Sequence, residues 1–231
     1  MSLSPSVSVV IPVGPHPAHQ AYLPECLASV AEQTAAAAEI LIVDDMANVQ
    51  EAEIKKWAGT TPLRIWEAPW RLGVPAAFNC GIGLAHSELV FMMGADDKML
   101  PTCLERCVKA WERERQRDAY YWVGVRYSDG REDQYQPCNA AMVTKGFWRR
   151  LGGFPPESAV GACDTMLISI LVGNGMYGAL ECAYNKEPLL WYRVHEATDT
   201  ATRGIYWQGV IFNVRDYLTR EWEEPTWGRL R

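Results

Sequence analysis

The chain has 231 residues and a formal net charge of −6, with a pI near 5.3; that length suits one domain with a sizeable core. Hydrophobic residues make up 48% and charged residues 22%, the balance of a soluble globular protein, and the acidic charge argues against a nucleic-acid backbone as the principal partner. No run approaches the roughly 20 apolar residues that cross a bilayer, and the early run "VSVVIPV" is short and lacks a basic flank, so a cytoplasmic location is expected.

Val7–Val13 is β-branched and apolar without alternation, the pattern of a strand buried on both faces. "GPHPAH" breaks it, and "YLPECLASVAEQT" places Leu23, Leu27 and Val30 on one helical face. "EILIVDD" predicts a second buried strand ending in Asp44 and Asp45, and "NVQEAEIKKWAG" a polar helix closed by Gly59. "LRIWEA" is a third strand, "PWRLGVP" a loop, and Ala76–His86 a helix of small residues able to pack closely. "ELVFMM" is a fourth strand with "GADD" at its end, and Pro101–Arg117 is a helix with Leu104, Val108 and Trp111 on one face. Four alternations of strand and helix predict an α/β fold with a parallel sheet.

The second half differs. "YYWVGVRYSDGREDQYQ" predicts a hairpin around an Asp-Gly turn. "AAMVTKGFWRRLGGF" and "CDTMLISILVGNG" read as a strand and helices, and "EPLLWYRVH" as a last strand. With no repeat and no linker, the chain is expected to be one domain over 1–231, a nucleotide-binding half to about residue 98 and an acceptor half after it. Seven cysteines, none in a Cys-x-x-Cys pair, point to buried thiols in a reducing compartment, with Cys103 and Cys107 on one helix face.

Ligands of open parallel sheets bind beyond the carboxyl ends of the strands. Two strands here end in paired acids, "IVDD" and "MMGADD", with no lysine or arginine between them. Such carboxylates call for a cation, and oxygen donors favour Mg²⁺ or Mn²⁺ bridging to a substrate diphosphate. The plainer alternative is that Asp44 and Asp96 cap the next turn or helix.

The order "VSVVIPV", "YLPECLASVAEQT", "EILIVDD", "RLGVPAAFNCGIGLA", "ELVFMMGADD", "LGGF" and "YRVH" resembles a family 2 glycosyltransferase with the GT-A fold, from about residue 7 to about 200. The resemblance implies a Rossmann-like, mostly parallel central sheet flanked by helices, with a smaller mixed acceptor side. It implies an inverting hexosyl transfer from a nucleotide-diphosphate sugar, a UDP-sugar, with Mn²⁺ or Mg²⁺.

Residue by residue, Pro12 and Val13 would meet the base through their backbone, and Asp45 would hydrogen-bond the uracil ring. Arg71 would lie near the base and diphosphate, and Asp96 would hold the ribose or sugar. Asp97 would ligate the metal, Asp164 would be the catalytic base, and His195 would close on the metal or diphosphate. A helix cap for Asp164 and a structural histidine at 195 are the plain alternatives. Arg193 would either pair with phosphate or line a strand edge. The chain departs from the family pattern at Gly94 and Cys163, where the family carries acids, and at Phe78, where many relatives carry a base.

The acceptor hydroxyl loses its proton as it attacks, so a carboxylate must face it, while the leaving diphosphate gathers negative charge that a metal would stabilise. Two rivals remain: a nucleotide-sugar-binding module without turnover, favoured by Gly94 and Cys163, and a nucleotidyltransferase. The second is opposed by "VGPHPAHQ", which has no lysine or arginine for a phosphate loop. The acceptor stays open among a saccharide, a small molecule and a hydroxymethylated DNA base.

Overall fold

The computed structural model describes residues 5–133, 140–154, 167, 180–182 and 187–195. The first half runs β1 (Val7–Val13), α1 (Pro17–Ala31), β2 (Glu39–Asp44), α2 (Glu51–Ile54), β3 (Leu63–Glu67), α3 (Val74–Leu84) and β4 (Leu89–Met93). Then come β5 (Lys98–Met99), α4 (Cys103–Arg113), β6 (Tyr120–Trp122), β7 (Val125–Tyr127), β8 (Glu132–Asp133), β9 (Ala140–Thr144), α5 (Lys145–Leu151), β10 (Leu180–Cys182) and β11 (Leu190–Tyr192).

The main sheet has the order β10-β6-β9-β4-β1-β2-β3. The strands of the first half pair in parallel, β1 with β2 and β4, and β2 with β3. β9 inserts antiparallel between β4 and β6, so the sheet is mixed. From β1 the chain moves outward through β2 to β3, then returns to place β4 on the other side of β1. The strand order therefore reverses at β1, the position where an open α/β sheet forms its ligand crevice.

The central strands are apolar because both their faces are covered. Val9, Ile11, Ile40, Ile42, Phe91 and Met93 point to the layer of α1 and α4. Val10, Leu41, Val43, Val90 and Met92 point to the layer of α3 and α5. The small residues of α3 allow the close contact expected of them: a Cβ on Gly81 would stand 2.3 Å from Val10 Cγ1. Cys103 and Cys107 are fully buried in the first layer.

Several boundaries move. α1 starts at Pro17, inside the segment expected to be a break, because His16 caps it through Nδ1 and proline suits a first helical position. The polar helix after β2 shrinks to α2 plus a 3₁₀ turn at Lys55–Ala58, ended by Gly59 at φ 59°. The helix expected from Pro101 begins at Cys103 and stops at Arg113, before left-handed Arg115 and Gln116. The Asp-Gly hairpin is present as β7 and β8, with Arg126 opposite Glu132. A second sheet, β5-β11-β7-β8, carries the end of the chain's β4 loop back against β11.

Candidate active site

Three loops leave the carboxyl edge of the sheet beside one another: Val13–Gly14 from β1, Asp44–Asp45 from β2 and Gly94–Asp97 from β4. Pro12 and Val13 pair with Val43 and Asp44, and the Val13 carbonyl accepts the Asp45 N–H at 2.9 Å.

The first acid pair divides sharply. Asp44 turns inward and accepts the N–H groups of Ala47 (2.7 Å), Asn48 (3.1 Å) and Val49 (2.7 Å). It is the cap of its own loop, whose residues Met46 and Asn48 take positive φ. Asp45, 2% exposed, turns to the loop before α3. It accepts Leu72 N–H at 2.6 Å and Gly73 N–H at 2.9 Å, and forms an ion pair with Arg71 Nη1. Arg71 Nη1 also donates to the Asp45 carbonyl at 2.9 Å. The two sequence-predicted residues Asp45 and Arg71 are thus brought together, largely through bonds to one another's loops.

Glycine at position 14 makes room for this. A Cβ there would lie 3.1 Å from Arg71 Nη1 and 3.3 Å from His19 Nδ1. That His19 nitrogen is buried with no hydrogen-bond partner among the described residues. Phe78, one turn into α3, is 1% exposed and packs on Phe154 (centroids 6.3 Å apart), so the side chain in the position where many relatives carry a base faces the core.

The second pair is held from the other side. Asp97 is 1% exposed, and its Oδ1 accepts the Arg193 N–H at 2.9 Å. Burial first, then the charge of Asp96, push its carboxyl well above the usual carboxylate range, against the Arg193 N–H and guanidinium. Asp96 Oδ2 lies 2.9 Å from His195 Nε2. The structure therefore gathers Asp96, Asp97 and His195 at one end of β4, although His195 is 98 residues from Asp97 in the chain. Asp164, together with Cys163, lies outside the described residues.

The donor set fits a divalent cation in its chemistry. The two carboxylates are oxygen donors of the kind that suit Mn²⁺ or Mg²⁺, with the His195 imidazole beside them. Among the described residues no three His, Cys, Asp or Glu side chains could hold a metal by themselves. The set suits an ion that takes further ligands from a bound diphosphate.

Tyr22 and Glu25 were missed by sequence reasoning. Tyr22 lies under Arg193 (3.9 Å to the ring centre) and beside His195 (centroids 5.3 Å apart), and Glu25 accepts Arg193 Nη2 at 2.9 Å. Their spacing of three on α1 puts them on one helix side, but only the fold shows what that side meets.

The model of glycosyl transferase family 2 matches residues 8–168. The chain belongs to that family. It is 33% identical over 114 residues to the O-antigen biosynthesis protein RfbC of Myxococcus xanthus, a stretch that is 48% of this chain and 9% of that protein. Among solved structures, S. aureus TarS 1-349 in complex with UDP-GlcNAc superposes with a TM-score of 0.74 at 15% identity, over 95% of this chain and 68% of that one. A longer structure of S. aureus TarS gives 0.70 at 16% identity, and there the chain spans 41% of the length. These likenesses show the GT-A fold: an α/β domain with a mixed central sheet flanked by helices. No helix among the described residues is long and apolar enough to cross a membrane.

Proposed function

We infer that this family 2 glycosyltransferase moves a hexose from a UDP-sugar to a hydroxyl of a saccharide acceptor, with Mn²⁺ or Mg²⁺ and inversion at the anomeric carbon. The observation that carries this is the gathering of Asp96, Asp97 and His195 at the end of β4, beside the β1 and β2 strand ends where the strand order reverses and Asp45 holds Arg71. TarS, which shares the fold, binds UDP-GlcNAc, and RfbC is named for O-antigen biosynthesis, which supports the sugar donor and saccharide acceptor.

On this reading Pro12 and Val13 line the base pocket through their backbone. Asp45 contributes mainly by holding Arg71 and the loop before α3, and its remaining acceptor capacity faces the base. Arg71 offers positive charge to the base and diphosphate. Asp97 and His195 hold the metal, with Asp96 toward the ribose or sugar. When bound, the ion neutralises charge on the departing diphosphate. Asp164 takes the acceptor's proton, and displacement from the face opposite the leaving group inverts the centre. The single domain splits near residue 98 into a donor half and an acceptor half.

The test is a panel of nucleotide sugars incubated with purified protein and either metal. Release of UDP that needs the metal is expected, and no binding or hydrolysis of any nucleotide sugar rules the function out. Asp97→Ala is expected to abolish metal-dependent donor binding, whereas Asp164→Asn is expected to keep donor binding and stop transfer. Calorimetry and a UDP-release assay read the two effects separately.

A further inference from the structure

Arg193 follows β11, two residues before His195, and its side chain is only 15% exposed. It touches three separate parts of the fold. Nε donates to the Asp96 carbonyl at 3.0 Å, and Nη2 donates to Glu25 on α1 at 2.9 Å. The guanidinium lies 3.9 Å from the centre of the Tyr22 ring and 4.7 Å from that of Trp191. Its own N–H grips Asp97. Tyr22, which it stacks on, also touches His195, and His195 meets Asp96.

A guanidinium paired with a carboxylate, bonded to a carbonyl and stacked on aromatic rings is committed to the protein. We propose that Arg193 is a positioning residue, which fixes Asp96, Asp97 and His195 against α1 before donor and metal arrive, and does not itself contact phosphate. This rests on the transferase function proposed above. The alternative ways for a cation to act here differ in sign. A mere counter-charge would weaken a nearby divalent ion, so its removal would tighten metal binding. A positioning group pre-pays the ordering of the ligands, so its removal loosens metal binding.

The experiment begins with the wild-type protein, measuring Mn²⁺ binding in the presence of UDP by calorimetry. If the wild type binds neither, the transferase function fails and this role fails with it. If it binds both, Arg193→Met and Arg193→Lys are expected to lose about 10-fold or more in Mn²⁺ affinity and about 10–100-fold in turnover, as outer-shell partners of metal ligands do. At saturating Mn²⁺ the donor KM is expected to stay within about threefold, because the lost interaction is with the ligands and not with the substrate.

Lysine is not expected to rescue, since an ammonium lacks the planar fork. Tighter Mn²⁺ binding by Arg193→Met, full rescue by lysine, or a raised KM at unchanged kcat under saturating Mn²⁺ would each overturn the proposal. Should Arg193→Met fail to fold by circular dichroism, Glu25→Gln removes the negative charge of the Nη2 partner, on a side chain that is 52% exposed, and leaves a weaker neutral acceptor. A drop of about two- to threefold in Mn²⁺ affinity is then expected, on the scale of one weakened outer-shell bond; no change in a variant that melts like the wild type overturns the proposal.

Discussion

Asp44 and Asp45 are adjacent and nearly equally buried, yet they serve different loops. Asp44 satisfies three N–H groups of the turn behind it, while Asp45 satisfies two N–H groups and a guanidinium in front. The sequence left Asp44 open as a cap while the family resemblance set Asp45 toward the base, and the structure makes Asp44 the cap. The difference arises from the strand's alternation, which sends successive side chains to opposite sides. Asp45→Ala is expected to leave the Leu72 and Gly73 N–H groups without their acceptor, at a cost of about 1–3 kcal/mol each if they stay buried. It is also expected to free Arg71 and weaken UDP binding. Urea unfolding checks the first effect and calorimetry the second; unchanged UDP affinity would show that Arg71 does not face the donor.

At the scale of the elements, the opposite edge of the sheet has its own charged cluster, which the sequence did not announce. Glu39 opens β2 and is 3% exposed. It accepts Ser8 Oγ of β1 at 2.7 Å, His86 N–H at 2.6 Å and Arg64 Nη1 of β3 at 2.7 Å. Burial raises the pKa of its carboxyl, and the His86 N–H, Arg64 and Ser8 together lower it by more, so the net direction is down. A depressed folded-state value means that the stabilisation is fully present above the unfolded pKa of about 4.3. It is lost as pH falls through the lower folded value. Glu39→Gln is therefore expected to cost about 1–3 kcal/mol at neutral pH, the scale of bonds to a charged group. The gap from wild type should close as unfolding is measured at progressively more acid pH; a gap independent of pH sinks the assignment. This cluster fastens the N-terminal ends of β1, β2 and β3 and the segment before β4.

At the scale of the whole molecule, α1, the end of β4 and the segment after β11 are joined through Arg193 and His195, so ligands of the proposed site should stabilise the entire domain. A donor and metal that bind only the folded state add about 2.7 kcal/mol at a ligand concentration 100-fold above Kd. UDP with Mn²⁺ is expected to raise the melting temperature, and a chelator is expected to remove the part that depends on the metal. A shift that survives chelation unchanged would mean that the donor is held without an ion.

The linear sequence determined the apolar strands β1, β2 and β4, the acids at their ends and the alternation with helices, because those follow from local periodicity and from burial on both faces. It also determined that the small residues of Ala76–His86 would let that helix pack closely, which the structure places at Gly81 against Val10. It did not determine the insertion of β9 antiparallel to β4, since strand direction depends on where the connecting chain runs. Nor did it determine that Arg193 would be spent on Glu25, Asp96 and two aromatic rings. Those contacts join residues up to 168 positions apart. Local propensity carries no information about such pairs, and only the packing of α1 and β11 around the end of β4 decided them.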